Sequence, residues 1–194
     1  MYIKRICIFC GSSFGVNGQY ATAAATLAEH LVAENIGIVY GGSDRGLMGT
    51  VANTALSRGG EVIGVIPEAL VQKEIAHRAL SDLRVVKSMH ERKALMADLA
   101  DAFIALPGGY GTLEEFCEVL TWSQLGLQSK PCGLLNVSGY YDPLLNMFDR
   151  ALEQGFLRRE HRELVVSDEN PAAMISALRS RQLPGIPKWL DVPI

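Results

Sequence analysis

The sequence predicts a single Rossmann-like α/β domain, a doubly wound parallel sheet with helices on both faces. Three observations predict it. Short β-branched runs alternate with longer helical patterns along the whole chain. The strand-like runs are almost continuously apolar, as strands buried on both faces must be. Three of the loops that follow strands are rich in glycine and lead into helices. In order, strand patterns fall at residues 3–9, 37–40, 62–66, 83–86, 102–106, 133–135 and, briefly, 164–166. Helical patterns fall at 19–34, 47–57, 89–100, 112–125, 143–154 and 171–179, and a proline-rich tail occupies 184–194. No linker, repeat or low-complexity tract divides residues 1–194, a length suited to one domain.

Composition narrows the function. The chain is 48% hydrophobic and 20% charged, so it can bury a core, and its net charge is −3. That balance lacks the basic footprint of a nucleic-acid binder, although a local site for one phosphate is compatible with it. No apolar run reaches the roughly 20 residues needed to cross a bilayer, and the apolar stretch after Arg5 is too short for a secretory signal. A cytoplasmic protein without membrane contact is expected. Cys7 and Cys10 form a C-x-x-C, but the pair closes a strand, where a redox pair would open a helix. Cys117, Cys132 and the four histidines have no ligand spacing, so no metal is expected.

Parallel sheets of this kind bind ligands beyond the carboxyl ends of their strands. The loops there are Cys10-Gly11-Ser12-Ser13, the stretch 41–49 with Gly42, Ser43, Gly46, Met48 and Gly49, and Pro107-Gly108-Gly109-Tyr110-Gly111-Thr112. Glycine lets a backbone approach an anion closely, and a helix start offers free N–H groups, so the three loops together point to a phosphate-bearing ligand. Neither common cassette is present. G-x-G-x-x-G is missing after the first strand, strand two ends without the acidic residue that holds a dinucleotide ribose, and the Walker pattern is absent.

Two helices carry candidate chemistry. The first follows Ser88-Met89-His90-Glu91, a capping-box pattern. Its apolar stripe is Met89, Met96, Leu99 and Ala100, and Arg92 and Lys93 fall inside it. Either they snorkel past the stripe or they meet an anion on the buried side. The second helix begins Thr112-Leu113-Glu114-Glu115, which also reads as a capping box, with Glu115 merely holding the helix start. On the wheel, however, Leu113, Phe116, Cys117 and Leu120 form one face, and Glu115, Val119 and Trp122 line the other. Such a helix is expected to be covered on both sides, one of them by a partner subunit. The helix N-terminus and a nearby Arg92 or Lys93 would favour ionised Glu115, a group able to stabilise an oxocarbenium-like transition state.

Residues 107–115 match P-G-G-x-G-T-x-x-E, the signature of the LONELY GUY (LOG) family. Met89-His90-Glu91-Arg92-Lys93 resembles that family's second motif, and the 41–49 loop is typical of it. The resemblance runs from the first strand to beyond Leu125. It implies hydrolysis of the N-glycosidic bond of a cytokinin riboside 5′-monophosphate or AMP, giving free base and ribose 5-phosphate. It implies Arg92 and Glu115 as the catalytic pair, with Lys93 and Thr112 beside them. Substrate contacts map onto Glu74, Gly109, Tyr110, Gly111, Thr112, Leu113, Glu114, Glu115 and Thr121. It also implies a homodimer with sites near the interface. No cofactor is expected: the family's old label, lysine decarboxylase, finds no pyridoxal phosphate lysine with its partners here. The competing readings are a nucleotide-binding or sensing module without turnover, and a plain AMP nucleosidase or phosphatase on the same loops.

Overall fold

The structure, a computed structural model, describes residues 2–71 and 76–181. Seven strands form one sheet in the order β4-β3-β2-β1-β5-β6-β7, and every pairing is parallel. The strands are β1 (Arg5–Phe9), β2 (Gly37–Tyr40), β3 (Val62–Pro67), β4 (Asp82–Val86), β5 (Ala102–Ala105), β6 (Cys132–Leu135) and β7 (Val165–Asp168). All seven predicted strands are present, and the doubly wound reading holds. Burial follows position: β2, β3, β5 and β6 are buried throughout, whereas the edges β4 and β7 are only partly covered. That is why the central strands read as unbroken apolar runs and the edges do not.

Two helical layers cover the sheet. On one face α1 (Gln19–Ala33), α2 (Gly46–Ser57) and α8 (Pro171–Ser180) pack Leu27, Leu31, Val51 and Ile175 onto Ile6, Ile8 and Ile38. On the other, α4 (Met89–Leu99), α5 (Tyr110–Gln124) and α6 (Asp142–Glu153) pack Met96, Phe116 and Leu145 onto Val39, Val65 and Phe103. The Phe9 and Phe103 rings stack there, 5.9 Å between centroids. Two four-residue helices, α3 (Glu68–Val71) and α7 (Arg159–Arg162), were not predicted, nor was the 3₁₀ turn Val137–Gly139 after β6. Each is about one turn long, too short for hydrophobic periodicity to register.

The chain reverses direction across the sheet between β1 and β5, so their outgoing loops diverge and leave a crevice. Phe9 is in register with Ala105, and the loops start side by side. Gly11 N–H donates to the Pro107 carbonyl (3.0 Å), and Leu47 N–H donates to the Gly11 carbonyl (3.1 Å), tying the three glycine-rich loops together. Gly46 is required at the last junction: its φ is +52°, and the Ser12–Ser13 backbone lies where a side chain would project.

Candidate functional site

Beyond β1 and β5 the crevice opens into a cavity of about 280 Å³. Its floor and walls include Cys10, Gly11, Ser12, Gly41, Met48, Arg92, Gly109, Tyr110, Gly111, Thr112 and Glu115. Two further cavities of about 320 and 310 Å³ share residues with it. One extends past Gly11, Ser12 and Gly109 to Ser13, Pro107, Gly108, Phe14, Tyr20 and Tyr140. The other extends past Ser12, Gly41, Met48 and Arg92 to Ser43, Arg45, Ile66 and Leu70. The cleft is thus three lobes in a row, with Arg92 and Glu115 in the middle one.

Arg92 reaches this place because α4 is firmly started. The Ser88 hydroxyl accepts from Glu91 N–H (3.1 Å), and the Glu91 carboxylate accepts from Lys87 N–H (2.8 Å). This is a capping box, with its return bond one residue earlier than expected. One turn on, Arg92 points inward, 8% exposed. Its Nε donates to the Val65 carbonyl (3.1 Å), and its guanidinium pairs with Glu115 Oε1 at 3.2 Å. Gly41 is needed beside it, because a Cβ there would collide with the guanidinium.

Glu115 is not a helix cap. α5 begins at Tyr110 with Gly109 as its N-cap, two residues earlier than predicted. Thr112 is therefore inside the helix, and the T-x-x-E spacing puts Thr112 and Glu115 on one inward face with Phe116 and Val119. The wheel reading is corrected on this point, since Glu115 and Val119 share the buried face with Phe116. The first intrahelical bond runs from Leu113 N–H to the Gly109 carbonyl (3.1 Å). The N–H groups of Tyr110, Gly111 and Thr112 precede it and have no acceptor within the helix, so the start of α5 meets the cleft as an array of donors.

The charge state of Glu115 also differs from expectation. Burial of its carboxyl, 8% exposed, outweighs the Arg92 cation and lifts its pKa above the ordinary glutamate value. Arg92 and, further off, Lys93 do not win against desolvation. The carboxyl is thus poised to hold and release a proton beside a permanent cation. Burial also raises the Cys10 thiol at the cavity floor and the Cys7 thiol below it, so neither is an activated thiolate.

Other predicted residues separate. Ser12, Met48 and Gly109–Thr112 reach the central cavity with Arg92 and Glu115. Ser13, Pro107 and Gly108 line one side lobe, and Ser43 the other. Gly42 packs against Ile66 and Leu83, and Gly49 against the Asp44 backbone, so both shape the loop instead of lining the cleft. Lys93 turns away to pair with Glu114 and Glu118 on α5. Burial alone would lower its pKa, but those two hydrogen bonds hold it above the ordinary lysine range. Leu113 joins the core. Met89 is 44% exposed, its sulfur 3.9 Å from the Arg92 guanidinium.

Thr121 lies elsewhere: it is exposed, its hydroxyl donates to the Cys117 carbonyl (2.8 Å), and it lines a separate apolar pocket of about 160 Å³ among α5, α6 and α7. Six residues on from Glu115, it falls about 240° around the helix, so one subunit does not bring both to one ligand. Glu74 and the 184–194 tail lie outside the described residues. Residues absent from the sequence expectation include Gly41, Arg45, Ile66, Leu70, Phe14, Tyr20 and Tyr140. Gly41 and Arg45 belong to the 41–49 loop already singled out; the others carry no local signal.

A switch-point cleft, a helix start facing it and a buried carboxylate–guanidinium pair define a doubly wound α/β protein whose cleft combines anion-suited donors with a group capable of acid–base chemistry. The comparisons give the family. Residues 48–178 match the family described as "Possible lysine decarboxylase", and the chain belongs to it. The cytokinin riboside 5′-monophosphate phosphoribohydrolase LOG3 of Arabidopsis thaliana is 50% identical over 90% of this chain and 81% of its own length. The enzyme LOG of Oryza sativa subsp. japonica, with the same activity in its name, is 51% identical over 84% and 68%. The resemblance to the LOG family read from the motifs is borne out. Among solved structures, the molybdenum cofactor binding protein of Rippkaea orientalis has a TM-score of 0.70, 21% identity, and coverage of 93% and 98% of the two chains. The Moco carrier protein of Chlamydomonas reinhardtii has a TM-score of 0.68, 21% identity, and coverage of 92% and 96%. These likenesses carry the fold alone.

Proposed function

We propose that this chain hydrolyses the N-glycosidic bond of an adenine-type nucleoside 5′-monophosphate, cytokinin riboside monophosphate or AMP, releasing the base and ribose 5-phosphate. The observation that carries this reading is the buried Arg92–Glu115 pair at 3.2 Å, set in the same cavity as the donor-rich start of α5. The names of relatives at about half identity support it.

The 5′-phosphate sits on the N–H groups at the start of α5, with the hydroxyls of Ser12 or Thr112 in reach. C1′ then lies over the middle lobe, and the base extends past Arg92 into the lobe of Met48, Ile66 and Leu70. Water adds to C1′ as the bond to the base nitrogen breaks. Glu115 in its ionised form stabilises the positive charge on C1′ and takes the proton that water loses; its raised pKa makes it a better acceptor than an ordinary glutamate. The leaving base takes up one proton from solvent and Glu115 releases the one it accepted, so the carboxylate is restored and one water is consumed overall. Arg92 stays protonated, so it orients Glu115 and donates hydrogen bonds without acting as an acid. Lys93, committed to two carboxylates, is unsuited to carry pyridoxal phosphate, which argues against the decarboxylase label.

The active form is a homodimer in the cytoplasm. The exposed Met89 and Tyr110 and the outward Thr121 support a subunit contact along α4 and α5, through which Thr121 would serve the partner's cleft. Among the described residues no helix is long and apolar enough to cross a membrane.

The test is chromatographic, with AMP and isopentenyladenosine monophosphate as substrates and adenosine as control. Free base from either nucleotide, but none from adenosine, is expected. Adenosine appearing from AMP would mean a phosphatase. Bound nucleotide without product would mean a binding module.

A further inference from the structure

The donor array at the start of α5 is useful to an anion only if the neighbouring carbonyls point elsewhere. A loop that is free to rotate its peptides presents lone pairs as readily as N–H groups. In this protein three successive carbonyls of the loop are each held by a hydrogen bond. The Leu106 carbonyl accepts from the Tyr141 hydroxyl (2.6 Å), the Pro107 carbonyl from Gly11 N–H (3.0 Å), and the Gly108 carbonyl from the Tyr140 hydroxyl (2.5 Å). Because a trans peptide sets its C=O and N–H in opposite directions, the bond to Gly108 also fixes the Gly109 N–H, directed away from Tyr140.

The two tyrosines come from the turn after β6, far from the loop in sequence. That turn is itself secured. The Asn136 side chain accepts from Tyr141 N–H (2.6 Å) and donates to Asp142 (2.7 Å). Ser138 takes a left-handed φ of +54°, a costly conformation for a residue with a side chain, retained within this network. The tyrosines differ in setting. Tyr141 is 1% exposed and part of the core, so its loss would disturb packing. Tyr140 is 38% exposed, forms a wall of the lobe beside the loop, and packs edge-on against Tyr20 (5.7 Å) and Tyr141 (5.0 Å). Its ring placement does not depend on its hydroxyl.

We propose that Tyr140 is a positioning residue for the phosphate cradle: its hydroxyl pins the Gly108 peptide so that the loop offers N–H groups, not carbonyl oxygens, to a phosphate monoester. This rests on the reading of the cleft as a nucleoside 5′-monophosphate site.

Tyr140→Phe keeps the ring and removes the one hydrogen bond. In the full-length protein, the KM for AMP and the Kd for ribose 5-phosphate are expected to rise about 3- to 10-fold, the equivalent of one net hydrogen bond. kcat is expected to change less than about twofold, and adenine affinity and melting temperature to stay as in the wild type, because the pinned peptide meets only the phosphate end. Unchanged affinity for ribose 5-phosphate overturns the proposal. So does an equal fall in affinity for adenine, which would mark a general structural role. Wild-type protein that binds ribose 5-phosphate without cleaving AMP sinks the reaction while leaving the cradle testable by calorimetry. Wild-type protein that does not bind ribose 5-phosphate sinks both.

Discussion

Arg92 and Lys93 are neighbours on α4, and each meets a carboxylate of α5, yet the two ionic contacts lie in different media. The Arg92 and Glu115 side chains are 9% and 10% exposed. Lys93 is equally covered, but its partners Glu114 and Glu118 are 55% and 27% exposed. Water reaches the outer carboxylates, so attraction and carboxylate desolvation are both smaller there, and the hydrogen bonds to Glu114 and Glu118 outweigh the burial of Lys93. In the inner pair both are large, and the balance leaves Glu115 with a raised pKa even beside a guanidinium. One helical step of about 100° therefore separates a structural contact from a chemical one. Residue type does not distinguish them; exclusion of water does.

The sharpest way to break the comparison is Glu115→Gln. The amide keeps the size of the side chain but cannot carry negative charge or accept water's proton. kcat is expected to fall at least about 100-fold, with AMP affinity within about threefold of wild type. Single-turnover assays and calorimetry read the two quantities separately. Retention of turnover would return Glu115 to a purely structural role.

Arg92→Met tests the other half of the inner pair. It leaves Glu115 buried without a cation, and breaking such a pair costs about 3 kcal/mol when the remaining group stays charged. Here the carboxyl can protonate instead. The loss of stability relative to wild type is therefore expected to be large at about pH 8 and to shrink towards about pH 5 in urea unfolding. A loss independent of pH would show that Arg92 acts through its contacts with Val65 and Met89 and not through Glu115.

The raised pKa makes a weaker but cleaner prediction in the wild type. Burial, opposed by Arg92, lifts the Glu115 pKa in the folded state above its unfolded value. Its contribution to stability is then fully present below the unfolded pKa and is lost as pH rises through the folded one. Stability of the wild type relative to Glu115→Gln should decline across that interval. In kinetics, the acid limb of kcat/KM should inflect above the ordinary glutamate value of about 4.3, because Glu115 must be ionised to work. An inflection at or below that value would mean that Arg92 outweighs burial.

What the sequence made legible follows from the range of each signal. The alternation of strands with helices and the doubly wound class rest on local apolar runs, which survive intact as β1, β2, β3, β5 and β6; the order of the strands across the sheet rests on long-range pairing. The glycine loops were legible because backbone approach to an anion needs glycine wherever the ligand comes from. The role of T-x-x-E was not. A capping box and an inward-facing pair share one spacing, and only the start of α5 at Tyr110, with Gly109 extended before it, separates them. The partition of Arg92 and Lys93 between two sets of carboxylates, and the arrival of Tyr140 from the turn after β6, depend on packing between distant segments. No local pattern encodes either.

The outer cluster supplies the smallest expected effect and the control for the rest. Glu118→Gln removes one of the two partners of Lys93, a bond of 3.0 Å, and leaves Glu114 in place. With Glu118 partly in water, the loss is expected to be below about 1 kcal/mol, a shift of a few degrees in melting temperature at most. Turnover should stay within about twofold of wild type, since none of the cavity around Glu115 is formed by Glu118. The shift should also shrink in high salt, where an exposed ionic contact is screened and a buried one is not. If Glu118→Gln instead lowered kcat as Glu115→Gln does, the division of α5 into a dry reactive face and a wet structural one would be wrong. Lys93 would then have to be counted with Arg92 as part of the site.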